Sequence, residues 1–170
     1  YIICCNHISL KDPVLLALGQ KRQIFFMAKE ELFHNKFVSA VIRSLGAFPV
    51  HRGSGDTQAI NNAEVLLQNE NVLGIFIEGT RSKTGELLRP KSGAAMLAFQ
   101  TQKPVVPACI SCKGGKMPKL FRKVTISYSD PISPEELGLK EGTALEFRNA
   151  SRKIMDIIRT MREKDIQETN

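Results

Sequence analysis

The chain has 170 residues, 42% hydrophobic and 24% charged, with 24 Lys and Arg against 17 Asp and Glu and a net charge of +7 at pH 7. This is enough for one domain with a buried core, and the composition excludes extended disorder, a collagen-like repeat and a coiled coil. The longest run without Asp, Glu, Lys or Arg is Ser92 to Gln102, 11 residues, short of the roughly 18 or more that cross a bilayer. The basic excess implies an anionic partner: nucleic acid, an anionic membrane surface or a phosphorylated small molecule. It is dispersed, with no Lys/Arg run and no nucleic-acid-binding pattern, so nucleic acid is not expected.

Tyr1 to Cys5 reads as a buried strand, and with no initiator Met or leading cap it looks like a start in mid-protein. A polar turn, Asn6 to Lys11, leads to Asp12-Pro13 and an apolar helix closing near Gly19. Gln23 to Ala28 predicts a second strand. Glu30 to Arg43 has helical spacing, with Phe33, Phe37, Val41 and Leu45 on one side, and Gly46 to Val50 is extended. Asp56 caps a helix through Asn69, facing inward with Ile60, Ala63, Leu66 and Leu67, and Val72 to Ile77 predicts a central strand. After a loop from Glu78 to Pro90, Ser92 to Gln102 forms a small-residue helix. Val105 to Ser111 and Lys123 to Tyr128 are further strands around the loop Lys113 to Lys119, and Thr143 to Glu163 is a long amphipathic helix. Strands alternating with helices define an α/β layered sandwich, a central and largely parallel sheet flanked by helices, in a single domain over residues 1–170.

The four cysteines are Cys4, Cys5, Cys109 and Cys112. An adjacent pair is awkward for zinc, and Cys109 and Cys112, three apart on a strand, point to opposite faces. Buried reduced thiols, and with them a reducing compartment, are expected.

Parallel sheets bind ligands at the carboxyl ends of their strands, which directs attention to three loops. In Asn6-His7-Ile8-Ser9-Leu10-Lys11-Asp12 a carboxylate five residues after an imidazole can fix its tautomer and leave the other nitrogen as a general base. The competing reading is a loop histidine followed by an ordinary helix cap. His51-Arg52-Gly53 offers a guanidinium for phosphate, against the commoner case of a surface arginine. Glu78-Gly79-Thr80-Arg81-Ser82, with Lys91 before the next helix, offers backbone N–H groups and two more cations.

Asn6-His7 with Asp12, then Gly46 to Gly53, then Phe76-Ile77-Glu78-Gly79-Thr80-Arg81-Ser82, then Pro104-Val105-Val106-Pro107 resemble the four ordered motifs of the glycerolipid acyltransferases with an HxxxxD motif, and among them the 1-acylglycerol-3-phosphate acyltransferases. The resemblance runs from residue 1 to about residue 130. It implies that His7 takes the proton from the acceptor hydroxyl as it attacks an acyl thioester, with Asp12 orienting the imidazole and no covalent acyl-enzyme. It further implies that Asn6, Lys29, Arg52, Glu78, Gly79, Thr80, Arg81 and Lys91 bind substrate, the arginines holding a glycerol phosphate and Glu78 contacting the glycerol or supporting the arginines. Ile77 stands where the family usually has proline, which removes a constraint on φ and no functional group.

The activity so implied moves a fatty acyl group from acyl-CoA or acyl-carrier protein to the 2-hydroxyl of 1-acyl-glycerol-3-phosphate, giving phosphatidic acid without metal or bound cofactor. Alternatives are another acceptor (glycerol-3-phosphate or another lysophospholipid), a lipid-phosphate binding module without turnover, and a thioester hydrolase. The resemblance also implies a peripheral enzyme at the cytoplasmic face of the cell membrane, with a membrane-associated segment before residue 1. Lys21, Arg22, Phe25, Phe26, Met27, Phe33 and Phe37 either sit on that surface or supply core.

Overall fold

Ile2-Ile3-Cys4-Cys5 offers no polar face, and the strand it forms, β1 (Ile2–Cys5), is buried throughout. Its two neighbours, β4 (Val72–Phe76) and β5 (Val105–Cys112), run parallel to it, Cys4 lying opposite Ile75 and Pro107. The computed structural model describes residues 1–18, 20–50, 57–112 and 123–169, and within them the sheet has six strands. The order is β3 (Ala47–Val50), β2 (Ile24–Lys29), β4, β1, β5 and β6 (Val124–Tyr128), with only β5 and β6 antiparallel. The α/β layered arrangement read from the sequence is therefore the one observed.

Connections set the layers. The chain passes leftward from β1 to β2 through α1 (Asp12–Leu18) and from β2 to β3 through α2 (Lys36–Ser44). It returns through α3 (Thr57–Gln68) and α4 (Gly93–Thr101). Right-handed crossovers then put α1 and α2 on one face and α3 and α4 on the other. Packing agrees. Leu16 of α1 joins Ile3, Cys5, Ile24, Phe26 and Ile110, whereas Ala63, Leu67, Ala95 and Ala98 join Ile2, Cys4, Cys109 and the long helix α5 (Ala144–Thr169). Cys109 and Cys112 fall on opposite faces, as strand parity requires. All four thiols are buried, which pushes Cys4 and Cys109 up to about 12.

Two boundaries differ from the sequence reading. The helix expected over Glu30 to Arg43 is a 3₁₀ turn (Glu30–Phe33) and then α2, because Asn35 caps a fresh helix: its Oδ1 accepts from Phe37 N–H at 3.0 Å and Val38 N–H at 3.1 Å. The last helix runs beyond Glu163 to Thr169. Asp165 there accepts from Ser111 Oγ at 3.1 Å and Ser127 Oγ at 2.7 Å, joining the helix to β5 and β6.

Candidate active site

Adjacent parallel strands whose exits go to opposite layers leave a crevice between their carboxyl ends. β1 and β4 are such a pair, one leading to α1 and the other toward α4. His7 follows β1, and Glu78 follows β4.

His7 Nδ1 lies 2.8 Å from Asp12 Oδ2, and the same oxygen accepts from Ile8 N–H and Ser9 N–H, each at 2.7 Å. Both N–H groups precede Asp12, so the fully buried carboxylate turns back on the histidine loop rather than forward as a helix cap. Such an acceptor favours the proton on Nδ1 and leaves Nε2 basic. Leu16 in the core and a 3.0 Å bond from the Tyr128 hydroxyl to Leu16 C=O hold α1, and with it Asp12, against the sheet.

The ring is located from its other side by aromatic stacking. Phe76 lies 4.1 Å from His7 centroid to centroid at 18°, and Phe26 lies 5.9 Å from Phe76 at 11°. Gly74 makes room: a Cβ there would stand 2.4 Å from Phe26 Cε1. The imidazole is 16% exposed, enough to be reached and too little to wander.

Glu78 is only 1% exposed. Its Oε1 accepts from His7 N–H and its Oε2 from Leu88 N–H, both at 3.1 Å. Burial raises its carboxyl above the ordinary value, and the two N–H groups oppose that shift. The side chain thus spans two loops by way of their backbones. Asn6 is equally occupied: fully buried, it donates from Nδ2 to Ile110 C=O at 2.9 Å and accepts from Ile110 N–H at 2.8 Å. It continues the β1–β5 ladder through a side chain.

The cations behave differently. Lys29 ends β2, exposed, its Nζ 3.7 Å from Glu31 Oε1. Thr80, Arg81 and Lys91 are exposed along the loop after β4. Gly79 has φ of +69°, and the Lys91 stem lies 3.1 Å from where its Cβ would be, while Lys91 N–H donates to Ile77 C=O at 2.8 Å. Ile77 itself is buried. Arg52, together with His51 and Gly53, lies outside the described residues.

Three contributors went unread in the sequence. Phe76 stacks on the histidine, Leu88 supplies an N–H to Glu78, and Ser82 donates its N–H to His7 C=O at 2.8 Å while its Oγ accepts from Gly85 N–H at 3.1 Å. Ser82 stood inside the quoted motif and Phe76 at its head. Leu88 left no signal, because it acts through backbone.

A half-buried histidine held by a buried carboxylate at the switch point of a parallel sheet, with exposed cations at Lys29, Arg81 and Lys91 on β2 and the loop after β4, is an arrangement suited to general-base chemistry. A family model described as Acyltransferase matches residues 1–111, and the chain belongs to that family. It is 37% identical over 125 residues to the 1-acyl-sn-glycerol-3-phosphate acyltransferase of Bacillus subtilis, covering 72% of this chain and 61% of that protein. With the enzyme of the same name from Streptococcus pneumoniae it shares 31% identity over 151 residues, 88% of this chain and 49% of that one. The crystal structure of the 1-acyl-sn-glycerophosphate (LPA) acyltransferase PlsC from Thermotoga maritima superposes with a TM-score of 0.72 at 29% identity, over 96% of this chain and 65% of that one. The resemblance carried by the HxxxxD and EGTRS motifs thus holds, and the chain spans between about half and two thirds of the length of these three proteins.

Proposed function

We propose that this domain transfers a fatty acyl group from a thioester, acyl-CoA or acyl-carrier protein, to the 2-hydroxyl of 1-acyl-glycerol-3-phosphate. The observation that carries the reading is the His7–Asp12 pair, closed by three bonds onto one carboxylate oxygen. His7 Nε2 removes the hydroxyl proton as the oxygen attacks the thioester carbonyl. The tetrahedral intermediate expels thiolate, which takes the proton back from the imidazolium. Asp12 stabilises that imidazolium. Lys29, Arg52, Arg81 and Lys91 hold the acceptor phosphate, and Glu78 and Asn6 support the loops instead of touching substrate. The reaction so written needs no metal or bound cofactor.

Docking at the cytoplasmic face of a membrane is part of the same proposal. No helix among the described residues is long and apolar enough to cross a bilayer. On the α1–α2 layer, however, Leu18 is 76% and Phe37 79% exposed, beside exposed Leu10, Val38 and Val41 and the cations Lys11, Lys36 and Arg43. Apolar side chains interleaved with cations suit an anionic lipid surface. Of the aromatics considered for that role, Phe37 is available, whereas Phe26 is buried and Phe25 and Phe33 are half-buried.

The test is thiol release from acyl-CoA in mixed micelles, with lysophosphatidic acid, with glycerol-3-phosphate, or with neither. Release that requires lysophosphatidic acid is expected. Release without acceptor would make the domain a hydrolase, and release only with glycerol-3-phosphate would change the acceptor.

A further inference from the structure

The loop carrying Thr80, Arg81 and Lys91 is tied to its own neighbourhood by bonds that include Gly79 N–H to Phe76 C=O, Ser82 N–H to His7 C=O, Leu88 N–H to Glu78 and Lys91 N–H to Ile77 C=O. Another comes from farther away. Arg162, near the end of α5, donates from Nη2 to Gly85 C=O at 2.9 Å, a contact spanning 77 residues of sequence. Gly85 is buried, has φ of +88°, and gives its N–H to Ser82 Oγ at 3.1 Å. A continuous path therefore runs from the Arg162 guanidinium through Gly85 and Ser82 to the carbonyl of His7.

The helix end that holds Arg162 is itself anchored. Asp165, three residues on and buried, takes the hydroxyls of Ser111 on β5 and Ser127 on β6. Two carboxylate–hydroxyl bonds fix this turn to the sheet, so the guanidinium is presented from a rigid support. Charge-assisted donors to a carbonyl are stronger than neutral ones. Arg162, Asp165 and Ser127 lie past residue 111, where the family match ends, whereas Ser111, Gly85 and Ser82 lie within it.

The geometry points to Arg162 as a positioning residue for the acceptor-binding loop, a role that rests on the acyltransferase reading. It holds the Ser82–Gly85 turn against α5, which sets the direction of Arg81 one residue before Ser82 and keeps the histidine loop in register with the phosphate-binding cations. Without it, the turn loses its tie from outside the motif, and the acceptor phosphate meets a cation whose place is no longer fixed.

The test compares the protein with Arg162→Met, Arg162→Lys and, on the outer face of the same helix, Arg159→Met, whose guanidinium pairs with Asp156. Two readouts are taken. In hydrogen exchange, Arg162→Met is expected to speed exchange of the 78–91 segment about tenfold with melting nearly unchanged. In steady-state transfer it is expected to raise KM for lysophosphatidic acid about tenfold, with kcat and the thioester KM within about twofold. Arg162→Lys recovers part of both effects, and Arg159→Met moves neither. Unchanged exchange in the 78–91 segment overturns the tether, as does a loss that falls on both substrates and on melting together. Faster exchange in a protein whose parent shows no acyl transfer would instead overturn the functional reading and leave the tether standing.

Discussion

The histidine loop and the α1–α2 surface lie on neighbouring parts of one chain and are built on opposite terms. Around His7 nearly every polar group is engaged: Nδ1 on Asp12, N–H on Glu78, C=O on Ser82. On α2 not one residue is buried, and Phe37 projects into solvent. The first region is finished by the chain itself. The second leaves apolar area open, and each buried aromatic of that size is worth roughly 1.5–3 kcal/mol. Under the proposed function the difference separates two tasks: proton transfer needs groups fixed before substrate arrives, whereas a surface proposed to meet lipid has no reason to be closed by protein.

Breaking the first region should have the largest effect. His7→Ala is expected to lower transfer on the order of 10³-fold while acceptor binding, read by a lysophosphatidic-acid-induced melting shift, is retained. Near-normal turnover would remove His7 from the mechanism. Glu78→Ala comes next. It strands two partly buried N–H groups, those of His7 and Leu88, and should cost about 2 kcal/mol in denaturant unfolding together with most of the activity. A variant as stable as its parent would mean the bridge is ornamental.

The second region yields to a milder change. Phe37→Asp should reduce partitioning onto vesicles of anionic phospholipid about tenfold and leave unfolding unaffected, because the side chain covers nothing. Equal partitioning would place the lipid contact elsewhere. The smallest effect is a slope in pH. Because the Glu78 carboxyl titrates above its ordinary 4.5 in the fold, the native state binds more protons between that value and the raised one. Glu78 therefore favours the fold at pH below 4.5, and that contribution is lost as pH rises through its native value. Stability of the parent relative to Glu78→Gln should fall across that window and run flat above it; a rise would reverse the sign argued from burial.

The sheet was legible because its strands are continuous apolar runs between turn residues, as in Val72 to Phe76. The histidine–carboxylate pair was legible from spacing alone. What escaped were ties made through backbone. Nothing in the letters Glu78 or Asn6 says that their side chains would serve the N–H of His7 and both backbone groups of Ile110. The break at Asn35 escaped for a similar reason: the apolar spacing ran across it, and a single capping oxygen outweighed periodicity. The end of α5 depended on Asp165 finding two hydroxyls on strands far away in sequence.

The central claim is that Asp12 serves catalysis through His7 and not merely the fold. Its most direct test is Asp12→Asn, in which the side-chain oxygen still accepts from Ile8 and Ser9 while the charge beside Nδ1 is gone. Acceptor-dependent thiol release is expected to drop on the order of 10²- to 10⁴-fold with melting held within a few degrees. A rate close to that of the parent, or a rate loss that only follows unfolding, would contradict the account.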